Sequence, residues 1–580
     1  LIITHYYDTI VVDTSLSIQK YYKLNFLRKN DFELIPFSNT GNAYNVLGFK
    51  SKENQFSEMG AKNKAIAYDN IDDVVYYDLP TPFTELMYRS VFEQGQILDA
   101  VYSVNTSRQF NFTISRKGLR SLGNYQNFIT SGSNFKLITN YFSKSKKYFL
   151  RTHYANQKLF AEQNGGIANS DIENFQNGVN QYLDRGVFDP NFENAHNELL
   201  GKRFYIDQVY KFRKNDTLNK NRIEVYNSVL IEEKQYKFQQ STIDEFFGEG
   251  FSIQQVNDKT FLNTFKIKAG LNYKSDKLGD ITAGLIFRDD KYSLQNFEIE
   301  DYVDPDQSIN SSTLYFFGSY SKKIKQTQFN FSSSNYLFGD SESSSIKSGI
   351  EIDLKKKNSL KISLSLLNST PDYNQRLYSS NYVNYNWKNE FQNTKTKALK
   401  LNLRLDKIIN LGVDYINIAN HIQFEQIETG SVDNVLIYSV KPIQHESLID
   451  LLMVKLNKRV SFGKFSVDSS IMFQKSISND VVNVPSIISR NTIYFSSDLF
   501  KKALYLQTGF GVKYFSKFYM NGYDPLLSEL YIQRVKEIGD FPMIDFFINA
   551  KIQQTRLYFK FEHLNSSLTG YNFYSAPNYP

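Results

Sequence analysis

The sequence predicts an all-β protein, a transmembrane antiparallel β-barrel of about 18 to 22 strands with short periplasmic turns and long extracellular loops. The first of three observations is two-residue alternation. Within 464–473, Phe465, Val467, Ile471 and Phe473 share one parity, and Lys464, Ser466, Asp468 and Ser470 share the other. The same holds from 503 to 515, where Leu504, Leu506, Phe510, Val512 and Tyr514 alternate with Gln507, Gly509, Gly511 and Lys513. Such strands carry one apolar and one polar face. The second observation is composition: 48 Phe and 41 Tyr stand beside one Trp and 12 Pro in 580 residues. The apolar runs are far shorter than the roughly 20 residues of a spanning helix. The third is that connection lengths alternate between short and long, which a barrel with one side in the periplasm requires and a soluble sandwich does not.

Residues 1–80 have mixed patterning and a turn-rich stretch at 37–49, and read as a periplasmic lead-in or partial plug for a barrel over 81–580. The chain begins with Leu1 rather than Met and shows no charged leader followed by an apolar core, so any signal peptide is expected to have been removed. Strands follow at 84–91, 97–105, 110–116 and 134–142, and the Ser143-Lys-Ser-Lys-Lys147 turn returns the chain as 148–156. After the longest loop, 157–201, hairpins fall at 202–213 with 222–238, 261–274 with 279–290, 312–322 with 326–336 and 347–357 with 359–368. The series ends with 395–407 and 411–427, 446–460 and 463–476, 490–500 and 503–515, and 542–552 and 554–563. An even strand number is needed if both termini are periplasmic, so a final strand is expected after residue 580.

A closed barrel pairs every backbone amide, and its outer face needs apolar side chains over a band about 25 Å tall. Leu399, Leu401, Leu403 and Leu405 suit that band, while Lys400, Asn402, Arg404 and Asp406 face inward. Leu360, Ile362, Leu364 and Leu366 contrast with Lys361, Ser363 and Ser365, as Leu557, Phe559 and Phe561 do with Arg556, Lys560 and Glu562. So many charges cannot line a dry core, but a wet bore solvates them. The pore-lining candidates are Arg151, His153, Lys361, Lys400, Asn402, Arg404, Asp406, Lys464, Asp468, Lys513, Arg556, Lys560 and Glu562.

No catalytic residue, metal site or cofactor is assigned, and the chain does not read as an enzyme. Cysteine is absent, which excludes disulfides, thiolate ligands and thiol nucleophiles. The formal charge of +7 is scattered over turns, with no groove for nucleic acid. The six histidines lack zinc spacing. His153 beside Arg151, and His421 with Tyr415 and Asn417, fall on the lumen parity and read as pore lining rather than as general bases. The acidic loop 298–306 reads as solvated charge, without the spacing of a calcium loop. A helical stripe over 170–186, with Ile172, Phe175, Val179 and Tyr182, sits in the longest loop and reads as a loop cap, a constriction or a lid. Lysines concentrate in the short turns at 144–147, 322–325, 355–357 and 501–502, which suits solvation or a docking face for acidic partners.

The segment Asp540-Phe-Pro-Met-Ile-Asp-Phe-Phe-Ile-Asn-Ala-Lys-Ile552, with Arg556-Leu-Tyr-Phe-Lys-Phe-Glu-His-Leu-Asn565 and Tyr574-Ser-Ala-Pro-Asn-Tyr-Pro580, resembles the C-terminal region of the putative porin family of Bacteroidota. Arg28-Lys-Asn-Asp-Phe-Glu-Leu-Ile-Pro-Phe37 with 45–49 is similar to that family's N-terminal region. The resemblance implies a barrel in the bacterial outer membrane with a terminal strand after the Tyr-Pro loop, and it supplies neither substrate nor catalytic residues. The expected function is a porin-like channel for passive diffusion of small polar solutes. The alternative is a plugged barrel acting as a structural or assembly subunit of a larger complex. Expected partners are outer-membrane lipid and lipopolysaccharide, small polar solutes, and other outer-membrane or periplasmic proteins. Residues 1–80 are short for a globular plug, which argues against a TonB-dependent transporter.

Overall fold

The computed structural model describes the chain except residues 6–7, 92–93, 179, 213–220, 253–254, 296–307, 356, 407, 433–434, 478–480 and 570–572. Twenty-one strands close into one ring, from Phe83–Val91 to Thr555–Phe561. Each strand in sequence pairs antiparallel with the next, and the odd number leaves the first and last strands pointing the same way. Closure removes the sheet edges that hydrocarbon would not tolerate.

Each ring strand coincides with one expected from alternation, although the strands run longer: 148–156 becomes Tyr148–Gln163, and 202–213 becomes Ala195–Lys211. One expectation fails. The strand predicted over 411–427 is two elements, ring strand Ile409–Ala419 and strand His421–Val432, which pairs with Val435–His445 outside the ring. Asn420 between them takes a left-handed conformation (φ 57°), which breaks the period.

Strand length is uneven around the ring. From Tyr148 to Ile324 six successive strands have 16 to 20 residues, while those from Thr327 to Phe515 have 11 to 14. The extra residues lie at the long-loop end. On Arg222–Gln240 the outer parity reads Ile223, Val225, Asn227, Val229 and Ile231, then Glu233, Gln235, Lys237 and Gln239.

Outward side chains such as Leu364, Leu399, Phe465, Phe510, Leu557 and Phe559 are exposed, as a lipid-facing surface requires. The inside is not an empty bore. Phe26, Leu27, Leu34, Tyr44, Met59 and Tyr68 of the N-terminal segment form one apolar cluster with Ile97, Leu119, Leu159, Leu199, Tyr236, Leu262 and Tyr292 of the wall. Each such buried side chain contributes roughly 1.5–3 kcal/mol. The approach is close enough to require glycine. Gly41 (φ 86°) would bring a Cβ within 2.1 Å of Leu119, and a Cβ at Gly201 would meet Tyr68 at 2.4 Å.

Long loops fold inward over this segment. Phe32, Ile35 and Leu47 pack with Phe175 and Phe188 of the loop after Gln163, with Met472, Ile488 and Phe515 of the wall, and with Tyr574. The predicted helical stripe is one short helix, Ile172–Asn177, ended by Gly178 at φ 58°, followed by 3-10 turns. It turns inward with Phe175 buried, and Val179 lies outside the described residues. Ala576 and Tyr579 bury against Phe37 and Tyr523.

Candidate functional site

The inner segment covers the wall unevenly. On Phe110–Ser121 the inward residues Asn111, Thr113, Ser115, Lys117 and Leu119 are all buried. On the opposite arc, strands Thr327–Gly339 and Ser344–Leu354 are accessible on both faces: Phe329 and Phe331 outward, Asn330, Ser332 and Lys347 inward. This inner face is built of small polar groups, with Ser332↔Lys347↔Ser365 and Asn330↔Gly349↔Ser363 in register. This lane is open to solvent.

Next to this lane a cavity of about 730 Å³ opens between residues 49–53 and the wall from Glu351 to Met472. Its middle row is Glu351, Lys361, Asn402, Gly412 and Lys455, each the cross-strand partner of the next. Nearer the short turns come Ser359, Arg404, Asn410 and Asn457; farther away come Lys400, Asp414 and Met453. Lys455 Nζ meets Glu33 at 2.5 Å, and Lys400 Nζ stands 3.6 Å from Glu53. At the long-loop end the lining turns apolar, where Phe49 and Met453 pack on Ile416, Ile418, Ile449, Leu451 and Val481. The cavity is thus a charged vestibule under an apolar roof.

The roof is latched. Asp372, in the loop before the ring strand that begins at Thr394, accepts from Lys52 Nζ at 2.7 Å and from the Glu58 N–H at 3.0 Å, and Lys62 Nζ lies 2.7 Å from its second oxygen. Burial raises the Asp372 carboxyl, but Lys52 and Lys62 overcome this and hold it well below the usual carboxylate range. Glu529 accepts from the Lys62 N–H at 3.2 Å and from Asn374 Nδ2 at 2.8 Å. Burial outweighs the pull of Lys62 there and pushes its carboxyl up to about 7.

The sequence-predicted lining residues divide four ways. Lys361, Lys400, Asn402 and Arg404 line the vestibule. Arg151, His153, Asp468 and Lys513 face inward but hold the inner segment. Arg151 bonds Asp207 and donates to the Thr4 and His5 carbonyls at 2.9 and 3.0 Å. His153 Nε2 accepts from Arg203 Nε at 3.0 Å, so the ring carries its proton on Nδ1 and donates it to Tyr76 Oη, 2.9 Å away. Asp468 accepts from Tyr22 and Gln19 at 3.3 Å, and Lys513 Nζ donates to the Asp31 and Leu34 carbonyls. On the last strand Arg556 is half-buried, and Lys560 pairs with Asp545 and with Glu562, each at 2.9 Å.

The rest are displaced. Asp406 lies in the turn after Leu405, with its N–H on Asn358 Oδ1 at 2.7 Å. Lys464 occupies a turn with its ammonium over the ring of Phe495, which packs on outward Phe465, rather than in the bore. Tyr415 and Asn417 face outward and share Asp450, because the inward parity of their strand is that of Gly412, Asp414 and Ile416. His421 sits beyond the Asn420 break, 6.4 Å ring to ring from Phe49. The acidic loop 298–306 lies outside the described residues. Sequence reasoning missed Glu33, Glu53, Glu351, Asp414 and Lys455; inner-parity serines and glycines at 332, 345, 349, 363 and 365 were the available signal.

Solved structures share the fold. The copper transporter OprC superposes with a TM-score of 0.63 at 9% identity, over 92% of this chain and 87% of that one. BauA, the ferric preacinetobactin receptor of Acinetobacter baumannii, gives 0.58 at 11%, over 92% and 88%. The siderophore receptor PirA of Acinetobacter baumannii gives 0.55 at 10%, over 86% and 78%. At these identities the likeness establishes the fold alone. No curated protein matches the sequence. The family described as Putative porin matches over residues 1–580.

Proposed function

The chain belongs to the Putative porin family and lies in the bacterial outer membrane, and from that premise we propose that it is a solute barrel closed at rest. Small polar solutes enter the vestibule from the periplasmic side, where turns are short, and pass only when residues 49–58 leave the roof. No catalytic step belongs to this reading. The observation that carries it is the uneven cover of the wall: a hydrated, charged arc stands beside one packed solid. Free diffusion through an always-open bore is disfavoured by the apolar roof, since Phe49, Ile416 and Met453 offer no partner to a hydrated solute.

The test is conductance in planar bilayers. The wild type is expected to stay shut most of the time. Asp372→Asn, which leaves Lys52 and Lys62 without their shared carboxylate, is expected to give persistent conducting steps, because the one buried anion that holds both ammonium groups is lost. A correctly folded Asp372→Asn barrel and a barrel lacking 49–58 that both stay silent would sink the reading. The second reading, a closed structural or assembly subunit, would then stand on the large apolar contact between the inner segment and the wall.

A further inference from the structure

Within the vestibule the cations are not equally engaged. Lys455 is neutralised by Glu33 at 2.5 Å, and Lys400 has the exposed Glu53 carboxylate at 3.6 Å. Lys361 and Arg404 have no ion pair or side-chain hydrogen bond among the described residues, and both are exposed to the cavity. They lie on adjacent strands around Asn402: Lys361 is its cross-strand partner, and Arg404 pairs with Ser359 one inward step along. Inward neighbours of this kind stand roughly 5–8 Å apart, a span that a small doubly charged oxyanion bridges. Gly412 keeps the place open, since a Cβ there would come within 3.3 Å of Asn402 Oδ1.

Two further features point the same way. The turns below this arc carry Lys322, Lys325, Lys355 and Lys357, and Lys323 is the one paired with Asp353, at 2.7 Å. Asp353 and Asp406 lie among them, but the turns are cationic in sum, and a mouth of net positive charge with low-dielectric walls concentrates counter-ions. Glu351 and Asp414 flank the cationic pair in register with Lys361 and Lys400. They keep the attraction weak enough for a bound anion to leave, as a conducting path requires.

We propose that the vestibule binds small oxyanions, phosphate or dicarboxylate solutes, on the Arg404 guanidinium and the Lys361 ammonium with the Asn402 amide between them. Arg404 suits the task because its planar fork takes two oxygens at once. This deepens the reading above by naming the solute class, while binding itself needs no opening of the roof.

The experiment is the 31P linewidth of inorganic phosphate added to purified barrel in phosphate-free detergent, with succinate as competitor. Folding of each variant is checked by its heat-dependent electrophoretic shift. Wild type is expected to broaden the line, and succinate to narrow it again. Lys361→Gln/Arg404→Gln is expected to lose at least 80% of the broadening, on the order of a tenfold affinity loss for two charge-assisted contacts. Glu351→Gln, a change of opposite sign, is expected to tighten binding roughly two- to fivefold. Equal broadening by wild type and the double variant, or none by wild type, overturns the proposal. Binding by a barrel that never conducts leaves this inference standing and sinks passage; conduction by Asp372→Asn without phosphate binding does the reverse.

Discussion

Two arcs of one barrel wall obey the same alternation and end in different states. From Gly95 to Ser275 the inward parity presents long or bulky groups, among them Arg151, His153, Arg203, Leu199, Tyr205 and Tyr236, and every one of these is buried. From Thr327 to Leu405 it presents Asn330, Ser332, Gly349, Lys361, Ser363 and Asn402, and water reaches them. Polar inward residues therefore do not announce a water-filled bore. On the covered arc they bond protein, as Arg203 does to His153, to the Asp69 carbonyl and to Glu232. What separates the two arcs is whether the inner segment packs on them, since small inward groups such as Asn111, Thr113 and Ser115 are buried on the covered arc as well.

Substitutions sharpen this contrast, and the covered arc should respond most. Arg203→Ala breaks the buried ion pair with Glu232, which keeps Tyr68 and Lys234, and takes the donor from His153 Nε2; a loss of about 3–5 kcal/mol is expected in denaturant midpoints, with residues 1–82 newly open to protease. Leu199→Ala, at 1% exposure, should cost about 2–5 kcal/mol in the same assay. Glu529 gives a pH effect. Its carboxyl is raised from 4.5 to about 7, so the folded state holds the proton more tightly. Its stabilising contribution is full below the ordinary value and is lost as pH rises through about 7. Hydrogen exchange in residues 58–66, corrected for intrinsic rate, should be faster at pH 8 than at pH 5, and Glu529→Gln should flatten the difference. Asp372, depressed instead, loses its contribution only in strong acid. The smallest effect belongs to the open arc: Lys361→Ala should change stability by no more than about 0.5 kcal/mol. If it matched Arg203→Ala, the two arcs would not differ as described.

The ring was legible because hydrocarbon on one face forces a period of two, and that signal survives in each strand. It failed at 411–427, where nothing but the identity of Asn420 marks the left-handed break. The filling of the bore was not legible, because protein and water ask similar things of an inward Asn or Arg: both satisfy hydrogen bonds. Nor does 1–82 alternate, since its irregular path is fixed by contacts remote in sequence, such as Asn45 Nδ2 on the Ser575 carbonyl. Parity points Lys361, Lys400, Asn402 and Arg404 to one face, and these four residues line the cavity. Their anionic neighbours Glu33 and Glu53 come from the inner segment, and no strand pattern points to them.

The six long strands between Tyr148 and Ile324 give the cylinder a slanted rim. About five or six extra residues at about 3.3 Å each raise one side by roughly 18 Å along the strand, with Glu233, Gln235 and Lys237 on its outer surface. Seen from the medium, the molecule is a parapet with a low opposite bank, so a large particle arriving from outside meets the tall flank first.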